Sequence, residues 1–166
     1  MKQDRPKIRP PKQVADRFLE VIAIISLMSG IILVVQAWPT LPATIPTHFN
    51  AYGQADGWGS KYMIWLMPGM SVVLVPAMLF FRRFPWLSNM PIELTEKNTE
   101  YQYRMFVRLL SSLSCVVSLM FLNLSNDTIR IVNGGESLLG WRFIPIFLVG
   151  TFAPIIWYLF KAFRER

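Results

Sequence analysis

Four apolar stretches, at about 18–37, 62–81, 106–124 and 143–160, stand apart from polar connectors along the chain. None alternates apolar and polar residues in the way a half-buried strand or the stripe of a soluble helix would. At a rise of ~1.5 Å per residue, about 20 residues cover the ~30 Å hydrocarbon core of a bilayer. Backbone polar groups in lipid must be satisfied within each segment, so the pattern predicts helices. The expected fold is an all-α integral membrane protein, a four-transmembrane-helix bundle in one domain over 18–166. The first stretch ends in Val35-Gln36-Ala37, which could pass for a signal-peptide cleavage site. Its apolar run exceeds the ~7–15 residues of a signal peptide, so an uncleaved first helix is expected.

Charge then orients the bundle. Lys2, Arg5, Lys7, Arg9, Lys12 and Arg17 precede the first span, and Arg82, Arg83, Lys97 and Arg104 lie between the second and third. Lys161, Arg164 and Arg166 follow the fourth, against only Lys61, Arg130 and Arg142 on the opposite side. The positive-inside rule puts both termini in the cytoplasm, with loops 38–61 and 125–142 outside. The arm 1–17, proline-bearing and basic, is expected to be disordered and cytoplasmic. The net charge of +7 is spent at span ends rather than on an aromatic-interleaved surface, so no nucleic-acid partner is expected. Thr95, followed by Glu96, Lys97 and Glu100, reads as a helix start running into the third span.

Within the spans, Ser26 and Gly30, then Ser111, Ser114, Cys115 and Ser118, then Gly150 and Ala153, recur at helical spacing. Small residues of this kind let membrane helices approach closely. No ionisable residue is expected at mid-depth, which argues against a proton or ion path. Pro68, Pro76, Pro145 and Pro154 predict kinks in the second and fourth helices. Arg104 and Arg108, with Glu100, form either a ladder whose arginines reach the interface or a basic pocket for a headgroup or partner. The lone Cys115 excludes an internal disulfide.

The polar connector LPATIPTHFNAYGQADGWGSK, Leu41–Lys61, concentrates the candidate chemistry. Pro42 and Pro46 favour extended backbone, Asn50 to Gly53 offers a turn, and Asp56-Gly57 a second. Trp58 suits a membrane interface, Ser60 a helix cap, and Lys61 the outer end of the next span. A compact extracytoplasmic cap with short extended segments is expected between helices 1 and 2. His48 has three readings: a metal ligand with Asp56, Asn50, Asp127 or Glu136, a catalytic base, or a hydrogen-bonded structural residue. One histidine with carboxylates is a thin zinc set, and no nucleophile partners it as a base. No cofactor, no metal and no enzyme activity are expected.

The loop pattern (a proline-rich lead, IPxHFN, a glycine, then DxWGSK) resembles a bacterial membrane family of unknown function. It also resembles the N-terminal part of SdpI-type immunity proteins, which protect a cell from a secreted toxic peptide. The likeness rests on Pro46, His48, Phe49, Asn50, Gly53, Asp56, Trp58 and Lys61 over about 38–68. It extends more loosely into ELTEKNTEYQYRMFVRLL. It implies a small non-enzymatic protein of the bacterial inner membrane whose outer cap recognises a peptide or lipid-like ligand, in toxin immunity or signal reception. The candidate site is His48, Asn50, Gly53, Asp56, Trp58 and Lys61, with Arg104 and Arg108 as a basic pair on the other side. The alternative is a transporter or transporter accessory subunit that works as a homo-oligomer or with a membrane partner.

Overall fold

The computed structural model describes residues 5–138 and 140–165, so Lys2 and Arg166 lie outside the described residues. Among the described residues, four helices are long and apolar enough to cross a membrane: α1 (Val14–Ala37), α2 (Leu66–Phe81), α3 (Thr99–Val132) and α4 (Phe143–Arg164). The chain is a mostly helical, multi-pass membrane protein. Two strands, β1 (Thr44–Phe49) and β2 (Ala55–Ser60), pair antiparallel between α1 and α2. The polar connector expected to hold short extended segments is therefore a β-hairpin.

Span boundaries differ from the hydropathy reading for identifiable reasons. α1 begins at Val14, so residues 14–17 of the basic arm are its first turn. Asp16 makes this possible, because its Oδ2 accepts from Gln13 N at 2.9 Å and satisfies a donor at the helix start. The described remainder of the arm lies along the α2–α3 connector. Arg5 donates to the Ser88 carbonyl, and the Arg9 guanidinium sits 5.5 Å from the Phe84 ring centroid.

The second crossing is made in two pieces. A 3₁₀ segment, Lys61–Trp65, is started by Ser60, whose Oγ accepts from Tyr62 N, and α2 continues from it. Its rise of ~2 Å per residue supplies the length that the 16 residues of α2 lack.

α3 is 34 residues long, ~51 Å at helical rise, and overshoots a ~30 Å core at both ends. The expected outer loop 125–142 is thus helical as far as Val132. At the other end the start is later than expected. Thr95 is not a cap of the helix itself but of the turn before it: its Oγ1 accepts from Asn98 N, its carbonyl accepts from Thr99 Oγ1, and α3 begins at Thr99.

Two of the four prolines are not kink sites. Pro68 and Pro145 fall in the first turns of α2 and α4, where a backbone donor has no partner to lose. Pro76 and Pro154 are interior.

Small residues do form the close contacts. Ser111, Ser114 and Ser118 are buried, and Ser114 and Ser118 return their hydroxyls to the Ser111 and Cys115 carbonyls at 2.9 and 3.1 Å. A Cβ on Gly150 would lie 3.3 Å from Val116 Cγ1, so α4 approaches α3 through that glycine. The outward faces are apolar, as lipid contact requires: Ile24, Ile25, Val73, Val149, Phe152 and Phe160 are all exposed.

Inter-helix contacts make the arrangement up-and-down. The starts of α1 and α3 meet through Arg108 and Asp16, the end of α2 joins them through Arg82 and Glu20, and Gln102 of α3 reaches the Ala162 carbonyl of α4 at 3.1 Å. These four helix ends form the basic end of the bundle. The hairpin and the α3–α4 connector occupy the opposite, hairpin end.

Candidate functional site

Local chemistry explains the hairpin turn. Asn50 Oδ1 accepts from Tyr52 N at 2.9 Å and from Gln54 N at 3.1 Å, while Asn50 and Gln54 also pair through their backbones. Gly53 adopts φ +76°, and a Cβ there would stand 2.4 Å from Gly140 Cα. The turn therefore needs glycine twice over, once for its backbone and once because its tip touches the α3–α4 connector. That connector is held by Asp127, which accepts from Ser137 Oγ at 2.5 Å and Leu138 N at 2.9 Å.

Across the hairpin, His48 stands opposite Gly57 where the register is irregular. A Cβ on Gly57 would fall 2.8 Å from His48 Cβ, so the missing side chain makes room for the histidine. His48 Nδ1 lies 2.5 Å from Asp56 Oδ1. With the carboxylate ionised, Nδ1 carries the proton, and the lone pair of the neutral ring is on Nε2. The side chains are 72% and 43% exposed, so the pair orients a ring rather than anchoring the fold.

Beneath β1 lies a cavity of about 210 Å³. Ile45, Phe49, Met63, Met67 and Leu124 give it apolar walls, and Thr47, His48, Ser125 and Thr128 are the polar residues along it. Ser125 is 1% exposed, and its Oγ has no hydrogen-bond partner among the described residues. A helical serine ordinarily returns its hydroxyl to the preceding turn, as Ser114 and Ser118 do. Pro46 is buried beside Ile45, which packs with Val34, Leu41, Ile64 and Ile129 and holds β1 against the helices.

The remaining sequence candidates are elsewhere. Trp58 is exposed on β2 and stands opposite Pro46, one register position along from the His48–Gly57 pairing. Lys61 Nζ sits 4.5 Å from the Trp38 ring centroid, and Trp38 also meets Tyr62 and Trp65. This aromatic cluster is the kind that sits at a membrane–water interface. Asp127 and Glu136 are not gathered with His48, and among the described residues no three His, Cys, Asp or Glu side chains could hold a metal ion.

At the basic end, Arg104 and Arg108 have separate surroundings. Arg104 lies over the ring of Tyr101, with 5.6 Å to the centroid. Arg108 is bound through Nε to Asp16 and through Nη2 to Gln13 Oε1 at 2.6 Å, so its acid comes from α1 and not from Glu100. Beside it, Glu20 joins Arg82 and Lys12, and Arg82 also donates to the Leu79 carbonyl and Ser111 Oγ. Sequence reasoning passed over Asp16, Glu20 and Arg82. Two carboxylates four apart at the start of a membrane helix were the available signal, since buried carboxylates require partners. It also passed over Ser125, one heptad beyond Ser118.

Residues 23–72, from within α1 through the hairpin into α2, match a family described as Domain of unknown function (DUF1648). An uncharacterized protein of Archaeoglobus fulgidus is 27% identical over 125 residues, 67% of this chain and 68% of that protein. No solved structure matches the chain. The chain is therefore similar to proteins of unknown function, and the matched stretch contains the whole hairpin.

Proposed function

We propose that this is a small non-enzymatic protein of the cytoplasmic membrane whose hairpin end faces outward and recognises a ligand. The observation that carries the reading is the cavity under β1, with the Asp56-oriented His48, Thr47 and Thr128 as polar residues among its apolar lining. A few polar groups set in an apolar concave wall are the usual make-up of a ligand site. Drug-sized pockets run to ~300–1,000 Å³, so 210 Å³ suits one aromatic or branched group and not a whole cofactor. That size favours an apolar side chain of a peptide over a larger lipid-like molecule. Toxin immunity or peptide signal reception is the concrete form, in keeping with the likeness of the loop to SdpI-type immunity proteins. The transporter reading has less support. The buried carboxylates Asp16 and Glu20 lie in the first two turns of α1 and are already paired.

The test is a strain lacking the gene, with and without the gene restored, challenged with a panel of membrane-active peptides. Increased sensitivity to at least one apolar-rich peptide, reversed by the gene, is expected. Unchanged sensitivity across the panel overturns the reading. Orientation is tested in a Cys115→Ser background. An impermeant thiol reagent should label Gln54→Cys in intact cells and Lys97→Cys only after permeabilisation, and the reverse pattern inverts the topology.

A further inference from the structure

At the basic end, far from the hairpin, α1 and α2 diverge around a groove of about 640 Å³. Ile24, Leu27, Leu79 and Phe80 line its deeper part. Ile24 and Phe80 are about half exposed, so the groove opens sideways from the helix pair. Its mouth is cationic. Lys12 and Arg83 stand there, with Arg82 behind them.

Two acids are nearby, but each is already engaged. Asp16 is taken by Arg108, and Glu20 by the buried Arg82, with Lys12 sharing Glu20 at 3.2 Å. Arg83 is exposed, and among the described residues it makes no ion pair. Partial burial, then the neighbouring Arg82, Arg83 and Arg17, push the Lys12 ammonium below its usual pKa. The mouth thus holds more positive charge than its acids compensate, directly above a hydrocarbon-lined floor.

We propose that this groove is a binding site for a membrane phospholipid with an anionic headgroup, its phosphate between Lys12 and Arg83 and an acyl chain along Ile24, Leu27, Leu79 and Phe80. The volume lies within the range of built ligand sites. A soluble anion would gain from the cations but nothing from the apolar floor, whereas a zwitterionic lipid would gain from the floor but carries no net charge. Only an anionic amphiphile uses both halves. The proposal is independent of the hairpin site.

The experiment uses the full chain reconstituted in nanodiscs of equimolar phosphatidylglycerol and phosphatidylcholine with identical acyl chains. The protein is then released into mild detergent and examined by native mass spectrometry. Retention of one phosphatidylglycerol in preference to phosphatidylcholine is expected. The Lys12→Gln/Arg83→Gln double variant should reduce retention about 25-fold, from roughly a fivefold contribution per cationic side chain. Lys161→Gln/Arg164→Gln removes equal charge from the end of α4, outside the groove, and should leave retention unchanged. Ile24→Trp fills the floor without altering charge and should also abolish retention, which decides the matter should the double variant misfold. Equal retention of the two lipids, equal loss in the α4 control, unchanged retention in Ile24→Trp, or displacement of the lipid by millimolar inorganic phosphate would each overturn the proposal.

Discussion

The two ends of this bundle handle polar groups in opposite ways. At the basic end, Asp16 and Glu20 are drawn out of water and matched to Arg108 and Arg82, which ties α1 to the end of α2 and the start of α3. At the hairpin end, the ionisable pair is exposed while the buried hydroxyl of Ser125 is left without a partner beside a cavity. Buried charge must be neutralised for the helices to assemble, so the first arrangement is a structural lock. An open cavity stabilises nothing, and it makes sense as a place for something else. On the proposed reading, the same fold separates stability from recognition along its long axis.

The sharpest way to break this comparison is at the lock. Asp16→Ala leaves Arg108 without its acid and should cost about 3–5 kcal/mol of stability, read as lost folded protein in thermal melts in detergent. Asp16→Leu combined with Arg108→Met should recover much of that loss, because an apolar pair removes the charge-burial problem. A double variant as unstable as the single would show that the contact itself, and not the orphaned charge, matters. The hairpin tip comes next. Gly53→Ala places a side chain at positive φ, costing about 1–2 kcal/mol, and the contact with Gly140 adds to it. Asn50→Ala removes two turn hydrogen bonds and should cost about 1 kcal/mol, measured by the same melts. Smallest is His48→Ala. An exposed pair contributes only ~0.2–1 kcal/mol, so the variant should accumulate and melt close to wild type.

Sequence and structure diverge in an instructive way at these ends. The four crossings are legible because a bilayer sets a length, and apolar runs near Phe18–Ala37 and Tyr62–Phe81 meet it on composition alone. The turn at Asn50 and Gly53 is legible because each residue type suits one backbone task. The lock is not, since Arg108 and Asp16 are 92 residues apart and only the packed bundle brings them together. The outer extent of α3 is not legible either. Hydropathy reports where a helix touches lipid, while Ser125–Val132, with Ser125, Asn126, Asp127, Thr128 and Arg130, is helical beyond the apolar run. The cavity depends on Leu124, Ser125 and Thr128 of α3 coming together with β1, a relation between distant segments that no local pattern encodes.

The central claim is that the hairpin end recognises a ligand and does not merely complete the fold. Its most direct test is the ratio of peptide protection to folded membrane protein for His48→Ala and Thr128→Val, measured in the complemented deletion strain. The account predicts wild-type abundance and melting for both variants, with protection lost. Protection that stays at the wild-type level per folded molecule in both variants would contradict it.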